Sequence, residues 1–151
     1  WKLLILLNFT KNRKGFTLVE LVVVIAILGI LAGIAIPRFM SATETARGAK
    51  TVADLRTLES AAVMYYAKTG LVPTKDDLEK GNTTLGTAAL VASWPVPTSG
   101  KAIIKNNDNK EITWTISSGA AYSINAEGRP TIGDLTIDQI LKASTGSELK
   151  K

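Results

Sequence analysis

The sequence predicts an α+β chain: a long N-terminal α-helix, its first half suited to a membrane, packed against a small antiparallel β-sheet head. Three observations predict it. Residues 16–36 are apolar except for Thr17 and Glu20. After Pro37, apolar or small residues recur at steps of three and four, the spacing of one helix face. Ile112, Trp114 and Ile116 alternate with Thr113, Thr115 and Ser117, as in a sheet with one dry and one wet face.

The apolar run comes first. Leu21 to Ile36 carries no charge, and extending back to Phe16 gives 21 residues with Glu20 as the only ionisable side chain. At about 1.5 Å per residue such a helix spans about 30 Å, the thickness of a hydrocarbon core. A buried core helix is the plainer alternative, but the run is apolar on every face and has a basic flank. A cleaved secretory signal is the stronger rival. The run is too long for its apolar region, and it passes without a loop into a helical pattern.

Charge places the flank. Lys2, Lys11, Arg13 and Lys14 precede the run with no acid among them, and removing these four from the 18 Lys and Arg leaves 14 against 13 Asp and Glu. The basic character therefore sits on one side of the membrane segment, where the positive-inside rule puts cytoplasm. The chain opens on Trp1 rather than Met, as a fragment or a misplaced start would, and the apolar Leu3 to Leu7 fits read-through from an incorrect start. Cysteine and histidine are absent. No disulfide, thiolate nucleophile or imidazole base can be built.

"KGFTLVELVVVIAILGILAGIAIPRF" resembles the N-terminus of type IV pilins and pseudopilins. The pattern is Gly15, Phe16, Thr17, Leu18 and Glu20, then the apolar run, then Pro37. The resemblance implies the pilin fold, cleavage between Gly15 and Phe16 by a prepilin peptidase, and N-methylation of Phe16. Residues 1–15 would be the removed leader, 16–69 the long helix with 16–38 as membrane and polymerisation segment, and 70–151 the globular head.

An acid inside a membrane span is costly and needs a reason. Cutting after Gly15 would leave a charged amine at Phe16. In a stack of displaced subunits, Glu20 of one meets the Phe16 amine of the next, and such a buried pair acts chiefly as a register device. The alternative is a Glu20 that snorkels to the headgroups. Gly29 and Gly33 form a G-x-x-x-G pair that lets helices approach closely. Pro37 removes a backbone donor and clashes toward Gly33, which predicts a kink, a loosened stretch from Gly29, or simply the membrane exit.

Beyond Pro37 the helix is expected to reach about Lys68, with Phe39, Ala42, Ala46, Ala49, Val52, Leu55, Leu58, Ala62 and Tyr66 on its apolar face and Gly70 as its stop. Tyr65 and Tyr66 read as anchors between helix and sheet rather than a ligand platform. Thr74 with Asp77 predicts a capped short helix closed by Gly81. Residues 82–100 form a connection anchored by Trp94. "KAIIK" and "EITWTIS" form a hairpin around "NNDN", and Ala121 to Asn125 a third strand ended by Gly128 and Pro130. Thr136 with Gln139 caps a last helix that Gly146 can stop, and "SELKK" reads as a frayed tail.

No nucleophile elbow or phosphate loop is present, so no enzyme activity and no cofactor are expected. Asp108 and Glu111, with Asn106, Asn107 and Asn109, offer oxygens to calcium, which some pseudopilins hold in a head loop. The loop lacks the spaced acids of an EF-hand, and a plain turn explains Asn and Asp as well. Lys101, Lys105, Lys110 and Arg129 are scattered and do not indicate nucleic-acid binding, which stays open only because some type IV pili take up DNA.

The resemblance thus implies a filament subunit. It would enter the cytoplasmic membrane as a single-pass precursor and polymerise through the helix into an extracellular or periplasm-spanning filament on the bacterial surface. Implied partners are identical subunits, minor pilins, the prepilin peptidase, an inner-membrane platform protein and an assembly ATPase. A pseudopilin of type II secretion or competence DNA uptake fits equally, and adhesion, motility, secretion and DNA uptake are all open. The reading of another class is an uncleaved membrane-anchored binding module.

Overall fold

The computed structural model describes residues 15–149. The expected leader, its basic cluster and the final Lys150 and Lys151 lie outside the described residues, apart from Gly15. The chain divides into two compact units, residues 1–39 and 40–151. Helix α1 (Leu18–Thr69) begins in the first and supplies the floor of the second. It starts two residues after Phe16 and runs unbroken through Pro37.

In the second unit, α1 buries Gly48, Thr51, Leu55, Leu58, Ala62 and Tyr65, a 3-4-3-4-3 stripe. Leu55, Leu58 and Ala62 match the expected face, whereas Ala46, Ala49 and Tyr66 are exposed and Val52 is half-buried. The difference has physical causes. At Gly48 a Cβ would sit 1.9 Å from the Ile103 carbonyl oxygen, so β1 lies on the helix backbone and only glycine fits. Thr51 is buried because its hydroxyl donates to the Arg47 carbonyl, leaving its methyl for the core. Of the neighbouring tyrosines only Tyr65 can face inward.

Helix α2 (Lys75–Lys80) begins as expected. Thr74 Oγ1 accepts from Asp77 N while Asp77 Oδ2 accepts from Thr74 N, which satisfies two helix-end donors reciprocally. The connection to the sheet is tied down by Leu90 N and Val91 N donating to the Leu78 carbonyl. Trp94 Nε1 donates to the Tyr122 carbonyl, and Lys75 Nζ lies 5.5 Å above the Trp94 ring.

Strands β1 (Gly100–Lys105) and β2 (Glu111–Ile116) pair antiparallel, with Lys105 opposite Glu111. Their alternation points Ala102, Ile104, Ile112, Trp114 and Ile116 into the core. A second antiparallel sheet follows, β3 (Tyr122–Ile124), β4 (Pro130–Ile132) and β5 (Leu135–Thr136) in sequential order. The single sheet expected from the sequence is thus built as two. A turn closed by Ala120 N donating to Ser117 O, with Gly119 at φ 82°, separates β2 from β3. Gly128 and Pro130 do not end the strand region. Gly128 (φ 78°) sits in the turn before β4, and Pro130 opens that strand, where a missing N–H is tolerated.

Helix α3 (Ile137–Lys142) takes Thr136 as its cap residue, whose N–H donates to Gln139 Oε1. It ends before Ala143, earlier than Gly146. Gly146–Leu149 is a 3₁₀ turn, not a frayed end: Leu149 is buried, and a Cβ on Gly146 would sit 1.9 Å from the Thr113 carbonyl oxygen of β2. Two polar clamps join the elements. Asp54 Oδ2 accepts from Tyr122 Oη at 3.0 Å and from Lys50 Nζ at 2.6 Å. Arg129 Nη2 donates to Glu59 Oε1 at 2.8 Å and to Asp138 Oδ2 at 2.7 Å.

Leu149→Ala should therefore destabilise the protein by about 2–5 kcal/mol, the range for emptying a buried leucine site. Chemical unfolding of the detergent-solubilised chain measures it, and an unchanged midpoint would return the end to a frayed tail. Acid should also destabilise the head. Thr74, through its hydroxyl and then its N–H, holds the Asp77 carboxyl below the usual range, and the Arg129 hydrogen bond and charge do the same for Asp138. Groups lowered by folding contribute stability above the unfolded value of about 4 and lose it as pH falls through the folded value. The thermal midpoint should fall below about pH 4, and less steeply in Asp77→Asn.

A candidate assembly surface on the first half of α1

The candidate site is built on the first half of α1. Gly15 and Phe16 precede the helix and are exposed, Phe16 at 88 %. Thr17 stands just before Leu18 and caps α1. Its backbone N and its Oγ1 both donate to Glu20 Oε2, at 2.8 and 2.9 Å, and Glu20 N donates back to Thr17 Oγ1 at 3.2 Å. This reciprocal pair satisfies donors that the first helical turn cannot satisfy itself. A carboxylate there also meets the positive end of the helix dipole.

The sequence expectation weighed Glu20 as a partner for another subunit or as a snorkelling acid, not as a cap of its own helix. Thr-x-x-Glu at 17–20 was the signal for its local role, the same pattern recognised at 74–77. Both local bonds to the carboxylate use Oε2. Oε1 has no hydrogen bond among the described residues, so the cap and a second donor can share one carboxylate.

From Leu18 to Ile36 every residue is exposed. The segment has a mean hydropathy of 2.9 over its most apolar window, none of it buried, and is long and apolar enough to cross a membrane. Gly29 and Gly33 have no neighbour within 4 Å of an added Cβ, so whatever packs on them is not in this unit. Pro37 lies inside continuous helix. An apolar surface of this extent is stable only in lipid or against other protein.

The calcium candidates lie around the β1–β2 hairpin turn. Asp108 and Glu111 are exposed, and the described residues hold no cluster of three acids. Asn106 organises the hairpin instead. Its Oδ1 accepts from Asp108 N and Lys110 N, and its Nδ2 donates to the Ala143 carbonyl.

Comparison with known proteins agrees with this layout. Residues 10–36 match the family described as "Prokaryotic N-terminal methylation motif". The type IV narrow pilus major component PilA5 of Thermus thermophilus is 30% identical over 130 residues, covering 84% of this chain and 99% of that one. The chain belongs to the type IV pilin and pseudopilin family. Similarity to other members is concentrated in part of their length. Type II secretion system core protein G of Klebsiella michiganensis is 37% identical over 87 residues, 58% of this chain and 56% of its own. Type IV major pilin protein PilE of Neisseria gonorrhoeae is 39% identical over 77 residues, 51% of this chain and 42% of its own. The pilin-family chain thus spans about half the length of such relatives. No solved structure matches.

The cap can be tested alone. Thr17→Val should cost the helix start about 1 kcal/mol and fray its first turn. Backbone chemical shifts of residues 17–21 in micelles would show it, and shifts unchanged from the parent would remove the capping role.

Proposed function

We propose that this chain is the structural subunit of a type IV pilus-like filament. The observation that carries it is an uncovered helix, apolar on every side, with one carboxylate at its start, on a chain of this family. In the membrane the helix holds a single-pass precursor. Cleavage between Gly15 and Phe16 frees an amine, which is methylated. Residues 16–38 then leave lipid for the company of neighbouring helices, without change in their apolar surroundings. Glu20 Oε1 receives the Phe16 amine of the neighbour, and a subunit out of register leaves both charges unpaired. Gly29 and Gly33 let helices approach, and Pro37 lets the segment bend or loosen within the filament.

The partners are identical subunits and minor pilins, with a prepilin peptidase, a platform protein and an assembly ATPase to process and drive them. A periplasmic pseudopilus of a type II secretion system is the second reading, favoured by the likeness to core protein G. Both assign the chain a structural role rather than catalysis.

Mass spectrometry of the N-terminal peptide should find methylated Phe16. An upstream residue at the mature end would support an uncleaved anchor instead. Glu20→Ala should leave the chain processed and membrane-bound while lowering filament yield at least tenfold, read by shearing and immunoblot. Normal filaments from that variant would contradict the register role.

A further inference from the structure

The second sheet of the head has an open side, because β3 lies at its edge. In an antiparallel pair, residues bonded to the partner strand alternate with residues that turn away from it. Asn125 N donates to Arg129 O at 3.0 Å, just past the ends of β3 and β4, so the next bonded pair in this register is Ser123 with Thr131. Tyr122 and Ile124 therefore turn their N–H and C=O groups away from β4. Trp94 Nε1 reaches the Tyr122 carbonyl at 3.1 Å from that outer side, as the alternation requires. Tyr122 N, Ile124 N and Ile124 O have no partner among the described residues. The outer side of β3 opens on a cleft of about 460 Å³, whose other wall is the backbone leading into α2. There Val72 N, Val72 O and Pro73 O are also without partners among the described residues.

We propose that the β3 edge is a docking site for an extended peptide segment of another protein, which adds as a further strand beside β3. Three features select that occupant. First, the unpaired groups recur at alternate residues, the repeat of a strand backbone, so another strand meets them in register. Second, the edge is already fixed in place. Tyr122 is buried and its hydroxyl donates to Asp54, while Trp94 holds its carbonyl, so the template needs no reordering when a strand arrives. Third, the charge of the cleft is one-sided. Lys75 is the only charged side chain that lines it, and no carboxylate does. Lys75 Nζ lies 5.5 Å above the Trp94 ring and 4.0 Å from Glu79, which leaves ammonium donors for a visiting acid. The segment is accordingly neutral along β3 and acidic where it passes Lys75.

Open edges are usually covered, charged or interrupted by proline. The sequence Tyr-Ser-Ile of β3 has neither charge nor proline, and Trp94 covers only one acceptor. Pro130 stands on the neighbouring strand, opposite Ile124, and protects nothing on the outer side. The edge is three residues long, so a free peptide binds it weakly and a tethered or repeated segment binds better. Main-chain bonds supply the attraction, and Lys75 supplies the preference for an acidic flank.

Amide hydrogen exchange of the full chain in detergent micelles tests this directly. Alone, the chain should exchange the Tyr122 and Ile124 amides at least tenfold faster than those of Ser123 and Thr131, and equal protection of all four overturns the open edge. The probe is then a capped peptide, Asp-Val-Thr-Val-Thr-Asp, added at millimolar concentration. It should slow exchange at Tyr122 and Ile124 at least tenfold. The same peptide methylated on its Val and Thr nitrogens cannot form the ladder and should give no protection. Lys75→Glu, at an exposed first helical position where an acid is tolerated, should weaken the effect at least threefold. Unchanged exchange at Tyr122 and Ile124, equal protection by the methylated peptide, or full protection in the Lys75→Glu chain each overturns the proposal.

Discussion

A helix that is apolar on every side has nowhere to rest in water. Residues 18–36 of α1 are such a helix, exposed along its whole length. Each large apolar side chain left wet costs about 1.5–3 kcal/mol, so the segment must always have lipid or protein around it. The rest of the chain accommodates this demand. A carboxylate sits at the segment's start, glycines lie along its side, and a compact head begins only beyond Pro37. Anchoring and assembly become two uses of one surface. Movement between lipid and a helix bundle exchanges one apolar environment for another, which keeps the exchange near balance and leaves polar contacts to decide register.

In the proposed filament, Glu20 is where that decision falls. In the lone subunit it caps its own helix through Thr17, using one oxygen for both bonds. The carboxylate is thereby oriented before any neighbour arrives, and a preorganised acceptor loses less on binding. The head supplies the other half of the design. It is built around the second half of the same helix, with β1 lying against the Gly48 backbone and Arg129 clamping α1 to α3 through Glu59 and Asp138.

Much of this was legible in the sequence because strong local signals agreed with the final packing. The apolar run, the cap at Thr74 and Asp77, and the alternation through Trp114 each had one physical solution. What was missed depended on distant contacts. Gly48 and Thr51 replaced the expected alanines on the buried face because a strand backbone and a hydroxyl bond decided the matter. Pro130 looked like a terminator and is instead the start of a strand, since the first position of a strand excuses its missing donor. Leu149 lay in a polar tail and is buried because Gly146 allows the chain onto β2. At the candidate site the residues Gly15, Phe16 and Glu20 stood out through the family pattern. The capping role of Thr17 was present as Thr-x-x-Glu but obscured by the membrane context, where an acid invites a functional explanation before a local one.

The central claim is that Glu20 joins its neighbour's amine while remaining the cap of its own helix. Electron cryomicroscopy of the filament at side-chain resolution addresses it most directly. The account predicts the Glu20 carboxylate within about 4 Å of the Phe16 nitrogen of an adjacent subunit, the range of an ion pair. A Glu20 bound only to its own Thr17, with every neighbouring Phe16 nitrogen far away, would contradict it.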